Sequence, residues 1–169
     1  IYRIADIEMA NEKKVLVERN SKILERVAPS LSEYTTLDNT SVISGAFANC
    51  GNIKNYVIPD SVIKINNSAF YNCGGLEKIE LHDGLEIEDT HAFYGCSNLL
   101  SITFPESIKR IPQYTLYGCS NLSRVEFLAD DLEYIDWFAL CACNKLSEVV
   151  VKNPIAAEIK TGNGYVDRN

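Results

Sequence analysis

Apolar residues return along this chain in one short, fixed phrase. Three, six and eight places after successive cysteines stand Ile53/Tyr56/Ile58, Leu76/Ile79/Leu81, Leu99/Ile102/Phe104, Leu122/Val125/Phe127 and Leu146/Val149/Val151. The last two members of each set are two residues apart, so in an extended segment they share one face while their neighbours take the other. One short strand per phrase is predicted. The phrase is set by cysteines at 50, 73, 96 and 119, a constant step of 23, and by Cys143 after one inserted residue near Leu128. A weaker earlier copy begins at Leu31/Tyr34/Thr36.

A second apolar set follows each predicted strand: Val62/Ile65, Leu85/Ile87, Ile108/Ile111 and Leu132/Ile135. Behind it come the pairs Ala46-Phe47, Ala69-Phe70 and Ala92-Phe93, replaced by Thr115-Leu116 and Ala139-Leu140 in the last two copies. A unit of this length cannot bury both sets alone. Stacked copies, about 4.8 Å apart, place equal positions over one another and close a continuous core between two walls. An internal period of this size predicts a solenoid of about five turns.

The phrase S-V-x-x-I-x-x-x-A-F-x-x-C-x-x-L, followed by a short strand and Pro-Asp, resembles the BspA-like leucine-rich repeat family with its 23-residue repeats, over residues 31–152. The resemblance implies an α/β-class leucine-rich-repeat solenoid. Short parallel strands would alternate with irregular or short-helical return segments, between terminal caps. It also implies a bacterial surface or secreted setting, with adhesion and host-protein binding as the associated role. Residues 1–30 mix Ile4, Ile7, Val15, Val17, Ile23, Leu24 and Val27 with charges and read as an N-terminal cap, helix or hairpin. Residues 153–169 read as a polar C-terminal tail. The chain opens on Ile1 rather than Met, which suggests a processed or truncated segment of something longer.

The net charge of -7 argues against nucleic acid or an anionic membrane surface as partner, because both repel it at long range. No apolar run approaches the roughly 18 residues that cross a bilayer, so no direct membrane insertion is expected of this segment. Five of the six cysteines stand at a structural step and lack the clustering of a zinc site, so they are expected as buried thiols. Only Cys141 and Cys143 are local neighbours. The two histidines, His82 and His91, fall in different columns of one turn, which disfavours a nucleophile-base pair and an enzyme. No cofactor motif is present.

Three surface columns remain. Acids at Asp38, Asp60, Asp83, Glu106 and Asp130 or Asp131 follow strand ends, where Asp makes local turns; calcium is the rival reading. Outward strand positions give Glu33, Asn55, Lys78, Ser101, Arg124 and Glu148 in one column, and Thr35, Val57, Glu80, Thr103, Glu126 and Val150 in the next. Their alternating signs suggest charges that pair with one another. Tyr71, Tyr94 and Tyr117, each two places before a cysteine, form a third stripe that either packs along the edge or offers its ring faces to a peptide or sugar. The partner-binding candidates are therefore Asn55, Lys78, Glu80, Ser101, Thr103, Arg124, Glu126, Glu148, Tyr71, Tyr94 and Tyr117. The expected function is non-catalytic recognition of a protein or glycan, with a structural spacer or stalk as the alternative.

Overall fold

The structure, a computed structural model, describes residues 7–10, 13–18, 22–36, 39–88, 90–153 and 158–159. Its strands, in chain order, are β1 (Ile7–Ala10), β2 (Lys13–Glu18), β3 (Ile23–Val27), β4 (Val42–Ser44), β5 (Asn55–Val57), β6 (Lys64–Asn66) and β7 (Lys78–Glu80). They continue as β8 (Glu86–Ile87), β9 (Ser101–Phe104), β10 (Arg110–Ile111), β11 (Arg124–Phe127), β12 (Tyr134–Ile135), β13 (Glu148–Val151) and β14 (Glu158–Ile159).

The five predicted strand phrases that follow cysteines form one wall, a parallel sheet in the order β13-β11-β9-β7-β5, whereas the weaker copy at Leu31/Tyr34/Thr36 packs against the core without forming a strand. The register of the sheet aligns Asn55 with Lys78, Lys78 with Ser101, Ser101 with Arg124, and Arg124 with Glu148, so the outward column inferred from the sequence is a physical row from Asn55 onward, with Glu33 outside the sheet. The second wall carries β4, β6 and β8 and then β10, β12 and β14, with Ile43, Ile65 and Ile87 in register, and likewise Ile111, Ile135 and Ile159. At the N-terminal side β3 joins β4 in parallel, while β2 pairs antiparallel with both β3 and β1. The chain is therefore a solenoid of about five turns. Residues 160–169 of the expected tail lie outside the described residues, as do the side chains of Ile4, Ile7, Val15 and Val17.

Both apolar sets point inward as their spacing requires, with Leu99, Phe104, Leu122, Val125, Phe127, Val62, Ile65, Leu85, Ile111 and Leu132 all fully buried, except in the last turn, where Val149 is exposed because no described turn covers it. Phe47 and Phe70 stack with ring centroids 4.8 Å apart, and Phe70 and Phe93 follow at 5.4 Å. Leu116 is fully buried where the next Phe would stand, so the shorter side chain continues the column.

The return segments are two- or three-residue strands joined by turns, and no helix occurs among the described residues. The reason is a pair of left-handed residues four apart in four of the turns, and a left-handed Gly95 alone at the same bend of the turn between them. Gly45 and Asn49, Ser68 and Asn72, Tyr114 and Gly118, and Phe138 and Ala142 all have positive φ. Between them only three residues, such as Ala69-Phe70-Tyr71, take up the bend, which is too few to propagate a helix.

Ala142, at φ 58°, stands where two earlier turns use Gly95 and Gly118. An alanine in that region carries a Cβ clash costing about 1 kcal/mol or more. Ala142→Gly is therefore expected to stabilise the chain by about 1 kcal/mol, minus the extra freedom glycine gains when unfolded. A thermal melt in which the variant unfolds at a lower temperature than the parent would contradict this.

Candidate partner-binding surfaces

The residues with reactive chemistry are committed to holding the turns together. Each buried cysteine donates its thiol hydrogen to a backbone carbonyl one turn back: Cys73 to Phe47 O at 2.8 Å, Cys96 to Phe70 O at 3.1 Å, Cys119 to Phe93 O at 3.3 Å. Cys143 does the same to Leu116 O at 3.2 Å. A small, weakly polar side chain fits there because it fills a narrow column and also gives a hydrogen to the carbonyl.

All six cysteines are thiols and not disulfides. Burial pushes the Cys50 thiol up to about 12, with repulsion from Cys73 adding to it, and burial likewise pushes Cys143 up to about 12. Burial also raises Cys96 and Cys119. A thiol that ionises less readily in the fold than at its unfolded value of about 8.5 stabilises the fold fully below that pH and loses the contribution as pH climbs through the raised range. The urea midpoint should therefore fall steadily between about pH 8.5 and pH 11. At pH 8, a thiol reagent should spare Cys50, Cys96 and Cys119 until the chain unfolds. Rapid labelling of all six in the native protein would refute the buried column.

His82 also ties turns together, its Nε2 lying 2.9 Å from Val62 O and its Nδ1 2.8 Å from Asp83 O. The acid column is similarly occupied. Asp83 Oδ1 accepts the backbone N–H of Ser107 at 2.8 Å, and Lys109 pairs with Asp131 at 2.6 Å. Lys152 Nζ lies 3.1 Å from both Glu106 and Asp130, so an ammonium already stands between two acids of the column. Turn bonds run from Val62 N to Pro59 O and from Ile108 N to Pro105 O, which fits the local-turn reading of these positions. No group of three metal-binding side chains occurs among the described residues. Asp38 lies outside them.

On the sheet face, Asn55, Lys78, Glu80, Ser101, Thr103 and Glu148 are exposed, while Arg124 and Glu126 are half-buried. The charges pair within this face. Lys78 meets Glu80 at 2.6 Å, and Arg124 meets Glu126 at 3.2 Å and Glu148 at 3.1 Å. Thr103 donates to Glu126 at 3.4 Å. Such pairs are worth about 0–1 kcal/mol each when solvated. A partner must break them before it can use them.

The tyrosine stripe lies at the bend between the left-handed residues. Tyr71 and Tyr94 stack with centroids 5.0 Å apart and planes 11° apart, and Tyr94 and Tyr117 stack at 5.1 Å and 9°. Their ring faces therefore lie against one another instead of being offered to a ligand. What faces outward is a row of half-buried ring edges, and the hydroxyls of Tyr71, Tyr94 and Tyr117 have no hydrogen-bond partner among the described residues.

Beside it runs a second rank that the sequence reading did not assemble. His91 and Tyr114 stack at 5.2 Å, and Tyr114 and Phe138 at 5.3 Å. The ranks meet at an incline, His91 to Tyr94 at 5.5 Å and 43°, Tyr114 to Tyr117 at 5.7 Å and 68°. Trp137, 45% exposed, adjoins Phe138 in the chain. The signal was an aromatic three places before each of Tyr94, Tyr117 and Cys141. It is hidden by Ser68 in the second turn and by the residue inserted before the last.

Residues 40–161 match the BspA-type leucine-rich repeat region in six copies. Among solved structures, the chain is similar to a leucine-rich repeat protein from Eubacterium ventriosum, at 24% identity and a TM-score of 0.74, covering 83% of this chain and 40% of that one. It is also similar to a leucine-rich cell surface protein from Faecalibacterium prausnitzii, at 26% identity and a TM-score of 0.66, covering 85% and 38%. A third similar structure is a leucine-rich repeat protein from Bacteroides ovatus, at 25% identity and a TM-score of 0.67, covering 87% and 44%. The chain thus spans about two fifths of the length of these three relatives. No curated protein matches it.

Proposed function

Since the chain belongs to the BspA-type leucine-rich repeat family, we propose that it is a non-catalytic recognition module, engaging a protein or glycan at a bacterial cell surface through its two-rank aromatic strip. The observation that carries this reading is the contrast between its two ordered surfaces. Sheet-face charges are spent on one another, whereas the strip offers half-buried aromatic edges and phenol hydroxyls with no partner among the described residues. Tyr and Trp are the residue types that dominate binding energy at protein surfaces. The strip is also preorganised. The backbone bonds Asn49 N to Tyr71 O, Asn72 N to Tyr94 O and Gly95 N to Tyr117 O fix its positions from turn to turn, so a ligand has little protein motion to freeze.

The surface setting is supported by the description of the Faecalibacterium relative as a cell surface protein. Residues 1–30 serve in this reading as the cover of the first turn, with Leu24 and Val27 of β3 buried in the common core. Asn55, Lys78, Glu80, Ser101, Thr103, Arg124, Glu126 and Glu148 form a secondary surface that contributes once its ion pairs open.

Two triple variants test the assignment against panels of immobilised extracellular proteins and glycans. The combined Tyr71→Ala, Tyr94→Ala and Tyr117→Ala variant is expected to lose at least tenfold in affinity for whatever the parent binds. The Lys78→Ala, Arg124→Ala and Glu126→Ala variant is expected to change by less than threefold. The reverse pattern would move the site to the sheet face, and a parent that binds neither panel would leave the segment as a spacer.

A further inference from the structure

Deepening the recognition reading and resting on it, we infer that the ligand of the aromatic strip is a linear, uncharged, equatorially linked glycan lying along the solenoid axis, one sugar to each turn. Three features of the strip select this chemistry. The first is spacing. The rings of Tyr71, Tyr94 and Tyr117 repeat at 5.0 and 5.1 Å, with neighbouring planes within 11° of parallel, across three turns. An extended peptide rises about 3.3 Å per residue, so its same-face groups recur at about 6.6 Å and drift out of step with the row. An extended, equatorially linked sugar chain advances by close to one ring spacing per sugar and stays in step.

The second feature is charge. The strip rings Tyr71, Tyr94, Tyr117, His91, Tyr114 and Phe138 include no lysine, arginine or carboxylate, and the described charges near them in the chain are already engaged, Asp136 on the N–H of Trp137 and Lys64 on Glu88. A charged polymer would find no counter-charge here. The third is the way the rings present themselves. Because ring faces are occupied by neighbouring rings, the ligand meets ring edges, which carry the positive end of the aromatic quadrupole, together with phenol hydroxyls. Sugar hydroxyl and ring oxygens accept from both, and the sugar's C–H surface covers the apolar edges of the inclined rank formed by His91, Tyr114 and Phe138. The row stops at Ala48 on one side and Cys141 on the other, so the site is about three sugars long.

Calorimetric titration of the whole chain with cello-oligosaccharides of two to six sugars tests this, with maltohexaose, whose axial linkage makes it coil, as the contrast. Affinity is expected to rise at least tenfold between the two- and four-sugar chains, to level off beyond, and to change less than twofold between low and high salt. Maltohexaose should bind at least tenfold more weakly than cellohexaose. Tyr94→Phe keeps the ring and the stack and removes one hydroxyl, so it should weaken cellohexaose several-fold with an unchanged melting temperature. Absence of binding, equal affinity for two and six sugars, or a Tyr94→Phe variant that binds as the parent does would overturn the inference. If a protein ligand is found whose binding needs Tyr94 while every glycan fails, the recognition reading survives and the glycan assignment does not.

Discussion

Phe70→Ala is expected to cost about 3–5 kcal/mol of folding stability, because it removes a buried ring from the middle of a stack and leaves a cavity its rigid neighbours cannot fill. The ring lies between Phe47 at 4.8 Å and Phe93 at 5.4 Å, with Tyr56 at 5.7 Å. In a solenoid each turn is held only by its neighbours, so a weak central turn uncouples the halves on either side. Urea unfolding should show a lower midpoint and a shallower or split transition. Leu140→Ala, in the same column but half-buried in the last turn, should cost much less. Equal losses at the two positions would mean that the column is not a continuous core. Phe70→Leu should recover most of the stability, since Leu116 fills the equivalent place with no exposed surface.

Gly75→Ala should destabilise by about 1–3 kcal/mol, the usual cost of forcing atoms into a packed contact. A Cβ at Gly75 would stand 2.0 Å from the carbonyl oxygen of Gly51 and 2.7 Å from its carbon, both backbone atoms of the preceding turn. Neither can step aside unless the turns separate. The adjacent glycine gives the control: a Cβ at Gly74 meets only Ser97 Oγ at 3.5 Å, an ordinary contact. Gly74→Ala should be neutral or slightly stabilising, because alanine has less freedom to lose on folding. Parallel melts of the two variants that move together would remove the close approach between turns as the explanation.

These two positions differ in how visible they were. Phe70 could be read from the chain, since the Ala-Phe pair recurs at the period of the cysteines. Gly75 could not, because other turns hold Asn52, Asn98 and Asn121 at the same position and nothing in the spacing marks one turn as tighter. The same division runs through the candidate surfaces. The sheet-face columns were legible by alternation, and the strand register reproduces the first from Asn55 to Glu148 and most of the second, while Glu33 and Thr35 lie in no strand. That Arg124 is held by Glu126 along the strand and by Glu148 across it gives physical form to the self-pairing that the alternating signs suggested.

The tyrosine row shows where periodicity stops being informative. Its existence followed from the position two places before each cysteine, and its ring faces were open to use by a ligand on that evidence alone. Parallel rings at 5.0 Å close those faces and leave edges and hydroxyls. The second rank is assembled by the bend of the chain. With Tyr114 left-handed, the backbone turns back on itself and sets its ring beside Tyr117, and His91 and Phe138 extend the rank by stacking on Tyr114.

By itself the sequence determined the period, the inward and outward faces of the strands up to the last turn, the cysteine column and the stacking of like positions. All of these follow from equal spacing, because identical copies in register must place identical residues over one another. Only the tertiary structure decided which different columns become neighbours, which charges meet, where two backbones touch and which part of each ring is left for a partner. Those depend on distances across the turn, and such distances are set by a few left-handed residues and by the packing between walls, neither of which a repeat length encodes.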